Sequence, residues 1–161
     1  MKHIALTFTL LGAWIVVPCV LASPHEAHTH AHATAVAPIP AQRWVTDAPL
    51  REGMHRVHAA LNNLRLYERG QLGETQALAS VADINAAAAY MFANCKLDPT
   101  PDTALHGMLA PLLGAAARFK NDPKDMSAVA AMRDAVADYP RYFNDPGWTA
   151  PDASAEPAHG H

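Results

Sequence analysis

Between Trp44 and Tyr139 the large apolar residues recur at three- and four-residue spacing in four successive series, and proline or glycine interrupts the chain between them. That spacing leaves each segment with one apolar stripe if it is helical, and no good apolar face if it is extended. The first series is Leu50, Met54, Val57, Leu61 and Leu64, preceded by the N-cap types Thr46 and Asp47 and by Pro49, and closed by Gly70. The second runs over about Glu74 to Lys96 with Leu78, Val81, Ile84, Ala88, Met91 and Cys95. Its Ala86–Ala89 run favours helix and close approach of a neighbour.

Asp98-Pro99-Thr100-Pro101 stops one helix and starts the next, because proline cannot continue a helix but suits its first turn. The third stripe is Leu105, Met108, Leu109, Leu112, Leu113, Ala116 and Phe119. Asn121-Asp122-Pro123 repeats the device before a shorter fourth stripe of Met126, Val129, Met132 and Val136. No alternating strand pattern competes. The expected fold is all-α, an up-down-up-down antiparallel four-helix bundle over residues 44–148, with disordered tails on both sides.

Residues 1–22 read as a secretory signal peptide. Lys2 is followed by an apolar run from Ile4 to Val17, Pro18 breaks it, and Val20-Leu21-Ala22 supplies small residues before the cut. The run is too short for a stable membrane anchor. Cleavage after Ala22 removes Cys19 and leaves Cys95 as the only thiol, so no internal disulfide is expected and the thiol must be buried, paired with another chain or ligated. Loss of Lys2 makes the formal net charge of −3 more negative, and no basic run exists, so nucleic acid is not an expected partner. The location expected is periplasmic or secreted.

Residues 23–43 and 149–161 are poor in large apolar side chains and should be disordered. His25, His28, His30 and His32 lie in the first tail, and His159 and His161 end the chain. Alternating His-x-His makes weak tail sites for a divalent ion. An N-terminal copper clasp is excluded by Pro24, which has no amide N–H to surrender. The aromatic segment Tyr139–Trp148 should fold back as a lid, with Tyr142, Phe143 and Trp148 covering a bundle face; an aromatic patch for a protein partner is the alternative.

Simple up-down topology would bring the start of the first helix, the end of the second and the start of the third to one pole. Met54, His58, Met91, Cys95 and His106 would meet there, with Met54, Met91 and His106 within about 10 Å of their helix ends and His58 about one turn deeper. Thioether, thiolate and imidazole together select copper, above all Cu(I). His55 is expected on an exposed face, with Met108 and Tyr90 as outer neighbours. Packing accounts for the same residues, since methionine and free cysteine are ordinary core fillers and a flanking histidine commonly satisfies a carbonyl.

Other chemistries find less. Covalent haem needs a second cysteine and di-iron bundles need inward Glu-x-x-His pairs, both missing from the mature chain. Non-covalent haem on Met54 and a histidine is a weaker alternative. Cys95 as a nucleophile has no visible oxyanion device, so no enzyme is expected.

In layout the chain resembles haem-bearing bundles of the cytochrome b562 and cytochrome c′ type, without their attachment residues. The stretches Trp44-Val-Thr-Asp-Ala-Pro-Leu-Arg-Glu-Gly-Met54, Phe92-Ala-Asn-Cys-Lys-Leu97 and Ala104-Leu-His-Gly-Met108 resemble a group of exported bacterial helical-bundle proteins, some labelled DnrO. The resemblance covers residues 43–148, implies a periplasmic bundle and brings no activity, so no catalytic residue is carried over. The expected function is a periplasmic metal-binding bundle, for copper in the first place, that buffers, delivers or senses the ion. The alternative is a non-catalytic interaction or structural bundle that docks a protein partner without metal.

Overall fold

A computed structural model of the chain describes residues 38–148. The expected signal peptide with Cys19, most of the first tail with its histidines, and residues 149–161 with His159 and His161 lie outside the described residues.

Four helices carry the fold: α1 (Ala48–Glu68), α2 (Glu74–Asn94), α3 (Pro99–Asn121) and α4 (Met126–Val136). A single turn, α5 (Tyr139–Tyr142), follows them. Two-residue strands β1 (Trp44–Val45) and β2 (Phe143–Asn144) pair in parallel, Trp44 opposite Phe143. A pairing this short carries no period-two signal, which is why the sequence reads as helix throughout.

The helix ends sit where the local chemistry puts them. Asp47 caps α1, its Oδ1 accepting the Leu50 N–H at 2.8 Å, and Pro49 occupies the first turn. The other end closes at Gly70, whose φ of 69° suits a residue without Cβ. There the Gly70 N–H donates to the Tyr67 carbonyl and the Gln71 N–H to that of Leu66, satisfying carbonyls the helix leaves open. Helix α2 stops two residues short of the expected Lys96. Cys95 has already turned extended, with ψ at 143°, as the chain approaches Pro99. Helix α3 runs through Pro111 without ending, although proline removes one hydrogen bond.

The stripes meet in one core. Leu50, Met54, Val57, Leu61 and Leu64 of α1 pack with Val81, Ile84 and Met91 of α2, Leu105, Leu109, Leu112 and Phe119 of α3, and Val129 and Met132 of α4. Leu78 and Leu113 lie only half-buried at the edges of their stripes. Among the described residues no helix is long and apolar enough to cross a membrane.

The segment after α4 closes over one end of this core. Tyr139, Tyr142 and Phe143 are buried, and burial of such rings contributes on the order of 1.5–3 kcal/mol each. Trp44 packs against Tyr142 and Phe143 with ring centroids 5.8 and 5.6 Å away, so the aromatic strap and the strand before α1 hold each other. Thr46 Oγ1 donates to the Asn144 carbonyl at 3.0 Å and extends that join by one residue.

Candidate functional site

One residue ties the start of α1 to the end of α2. Asp47, while capping α1 with Oδ1, accepts the Lys96 N–H on Oδ2 at 2.7 Å. The Cys95 thiol lies within reach of the same carboxylate's charge. Burial, then the negative charge of Asp47, pushes the thiol up to about 12, with Asp102 adding to the effect. Cys95 is therefore a protonated thiol at neutral pH, and a metal that took it as thiolate would have to displace the proton.

The two methionines are core residues. Met54 is fully buried, and Met91 lies directly on the α1 backbone at Gly53, where a Cβ would fall within 2.6 Å of its sulfur. His106 is on the outside. Its imidazole is more than half exposed, its Nδ1–H donates to the Asp102 carbonyl at 2.9 Å, and its ring stacks on Phe92 at 5.1 Å. The expected pair Cys95 and His106 thus engage different partners, one turned to Asp47 and the other to the exposed Phe92 surface. Among the described residues no three His, Cys, Asp or Glu side chains are grouped to hold one ion.

His58 stands apart from the rest. It is half-buried, its Nδ1 lies 3.4 Å from the Asn62 side-chain amide, and its Nε2 is sealed from solvent with no hydrogen-bond partner. Burial, then the positive charges of His55 and Arg65, lowers its affinity for a proton below the usual 6.5, so it is neutral. The Trp148 ring covers it at 5.1 Å. A buried polar atom without a partner is costly, and it calls for an explanation. Met54 lies one turn earlier on the same side of the helix.

A second histidine, His55, is exposed as the sequence leads one to expect, and it also has a structural partner. His55 Nε2 reaches Asp145 Oδ1 at 3.3 Å, and the Asp145 carboxylate is fully buried. The same oxygen accepts the Gly147 N–H at 3.0 Å, and Oδ2 accepts the Tyr139 hydroxyl at 3.1 Å. Burial and the Asp145 charge together hold the Tyr139 hydroxyl firmly protonated. Trp148 rests on Tyr139 at 4.8 Å as well as on His58, so the aromatic segment covers a bundle face through this knot. The signal available in the sequence was Asp145 itself, a carboxylate inside an aromatic run that is destined for burial.

A shallow groove of about 530 Å³ opens beside the Asp47 junction, lined by Trp44, Val45, Asp47, Lys96, Leu97 and Pro101 among others. Val45 is 83% exposed at its edge. Compared with protein-family models, with curated proteins and with solved structures, the chain matches none.

Proposed function

We propose that this is an exported, non-catalytic helical-bundle protein that binds a soft transition-metal ion, copper as Cu(I) first, for buffering, delivery or sensing. In this reading the four helices run up-down-up-down and antiparallel, and the Asp47–Lys96 bond between the start of α1 and the end of α2 supports that order. The observation that carries the reading is the buried, neutral and unpartnered imidazole nitrogen of His58. Neutral imidazole is a ligand for copper, a thioether one turn away suits Cu(I), and an indole face favours a cation placed against it.

The order of ligands changes accordingly. His58 and Met54 lead. Cys95, Met91 and His106 follow, because Asp47 holds the thiol protonated, Met91 serves the α1–α2 contact and His106 faces outward. The N-terminal histidines His25, His28, His30 and His32 act as a weaker collector.

The test is an anaerobic Cu(I) titration of the mature protein against a chromophoric chelator, beside His58→Ala, Met54→Leu, Cys95→Ala and His106→Ala. Loss of imidazole ligation should weaken the tight site at least about tenfold in His58→Ala, as removal of ligating or supporting groups typically does. An unchanged titration in His58→Ala sinks the reading.

A second reading is favoured by the groove and the exposed Val45: a non-catalytic bundle that docks a protein partner at the Asp47 junction without metal. Non-covalent haem binding by Met54 and His58 has less support, since Trp148 already packs on the His58 ring.

A further inference from the structure

The aromatic segment after α4 has two parts with different holds on the bundle. Residues 139–144 are anchored: Tyr139, Tyr142 and Phe143 are buried, Phe143 and Asn144 pair with β1, and Thr46 Oγ1 holds the Asn144 carbonyl. Beyond Asn144 the chain turns at once, the Trp148 N–H donating to the Asp145 carbonyl at 3.2 Å. Pro146 and Gly147 in that turn are exposed. This turn places Trp148 over His58, and its one side-chain tie to α1 through a polar group is Asp145 to His55. His55 and His58 are neighbours on one side of α1, three residues apart, so latch and covered ring sit side by side.

We propose that Asp145–Trp148 is a gate over His58, latched to α1 by the Asp145–His55 contact, and that it swings away about Asn144 to admit a ligand to Nε2. The part of the reading above that it rests on is only what passes the gate, a soft metal ion or the small molecule that carries it. The latch suits such a role. At 3.3 Å its His55 partner is long for a charge-assisted bond, and the ring is 43% exposed, so water competes for it. Opening also breaks the Tyr139–Asp145 hydrogen bond and the Trp148–Tyr139 ring contact, while Tyr142, Phe143 and the β1–β2 pair keep their places, which confines the motion to four residues. Local opening of this kind costs less than global unfolding.

Histidine acylation by diethyl pyrocarbonate, followed peptide by peptide by mass spectrometry in the full mature chain, reads access to His58 without any metal. The exposed His106 in the same molecule is the internal standard. In the wild type His58 should acylate at least about tenfold more slowly than His106, and His55→Ala, which leaves no donor for Asp145, should raise its rate several-fold while leaving His106 unchanged. Removing the His55 charge by itself favours protonation of His58 and slows acylation, so a rise reports opening. Trp148→Ala should expose His58 further, and His106 acylation together with circular dichroism identifies any variant that has lost its fold. His55→Ala removes only a half-exposed ring and leaves Tyr139 and Asp145 themselves unchanged, so the decision is read there. Equal rates for His58 and His106 in the wild type, or a His58 rate unmoved by His55→Ala, overturns the gate. A gated acylation beside a Cu(I) titration indifferent to His58 keeps the gate and removes the metal; the reverse pattern does the opposite.

Discussion

Asp47 and Lys96 are joined across the pole by a carboxylate oxygen accepting a backbone N–H at 2.7 Å, while the other oxygen of the same carboxylate caps α1. One side chain thereby satisfies a helix N-terminus and pins the chain that leaves the neighbouring helix, and the Cys95 thiol leans on it as well. The arrangement links stability to thiol chemistry in a way that a cap alone would not.

Asp47→Asn separates the two. The amide oxygen can still cap Leu50, but the amide nitrogen cannot accept from Lys96, and a lost hydrogen bond of this kind costs about 1–2 kcal/mol. Thermal denaturation should show that loss. The Cys95 thiol, freed from the Asp47 charge, should titrate lower than about 12 and react faster with iodoacetamide at mildly alkaline pH in the native protein. A variant that melts lower with no gain in alkylation rate would place the thiol outside the reach of that charge. In the wild type, stability contributed by the protonated thiol is full below its ordinary 9.0 and is lost as the pH rises from there toward about 12.

His58 sets the acid side. Its folded-state affinity for a proton is lowered, chiefly by burial, so the unfolded chain binds that proton more readily. Stability should accordingly be full above about pH 6.5 and fall as the pH drops below it. Urea denaturation midpoints measured between pH 8 and 5 check the sign, and His58→Leu should flatten the slope. A midpoint that rises on acidification, or a slope that survives the substitution, contradicts the burial of this ring.

Helix positions and core were legible because periodicity and proline placement act locally: Asp47, Pro49, Gly70 and Pro99 each do at their helix ends what their chemistry dictates. The aromatic segment was also readable as a cover, since rings of that size need burial. Orientation around each helix was the harder part. His58 and His55 are three residues apart, and only the strap decides that one is covered by Trp148 and the other latched to Asp145. Cys95 and His106 lie near one another along the chain, yet the early end of α2 turns the thiol toward Asp47 while His106 stacks on Phe92. Contacts made by a two-residue strand pair and a single turn leave no periodic trace, so their consequences for the site emerge only in three dimensions.

Gly53 offers the sharpest test of how closely α1 and α2 approach at this pole. A Cβ built there would stand 2.2 Å from Met91 Cγ and 2.6 Å from its sulfur, well inside contact distance. Helix propensity alone would make Gly53→Ala stabilising by up to about 1 kcal/mol inside α1. The steric conflict works against that gain: Met91 is fully buried and must shift within a packed core, which costs about 1–3 kcal/mol. The net expectation is a variant less stable than the wild type in urea denaturation. In a double-variant cycle, the combined loss of Gly53→Ala with Met91→Ala should be smaller than the sum of the two single losses, showing coupling between the positions. If Gly53→Ala proves more stable than the wild type, Met91 does not lie against the α1 backbone, and the tight α1–α2 approach at this position is wrong.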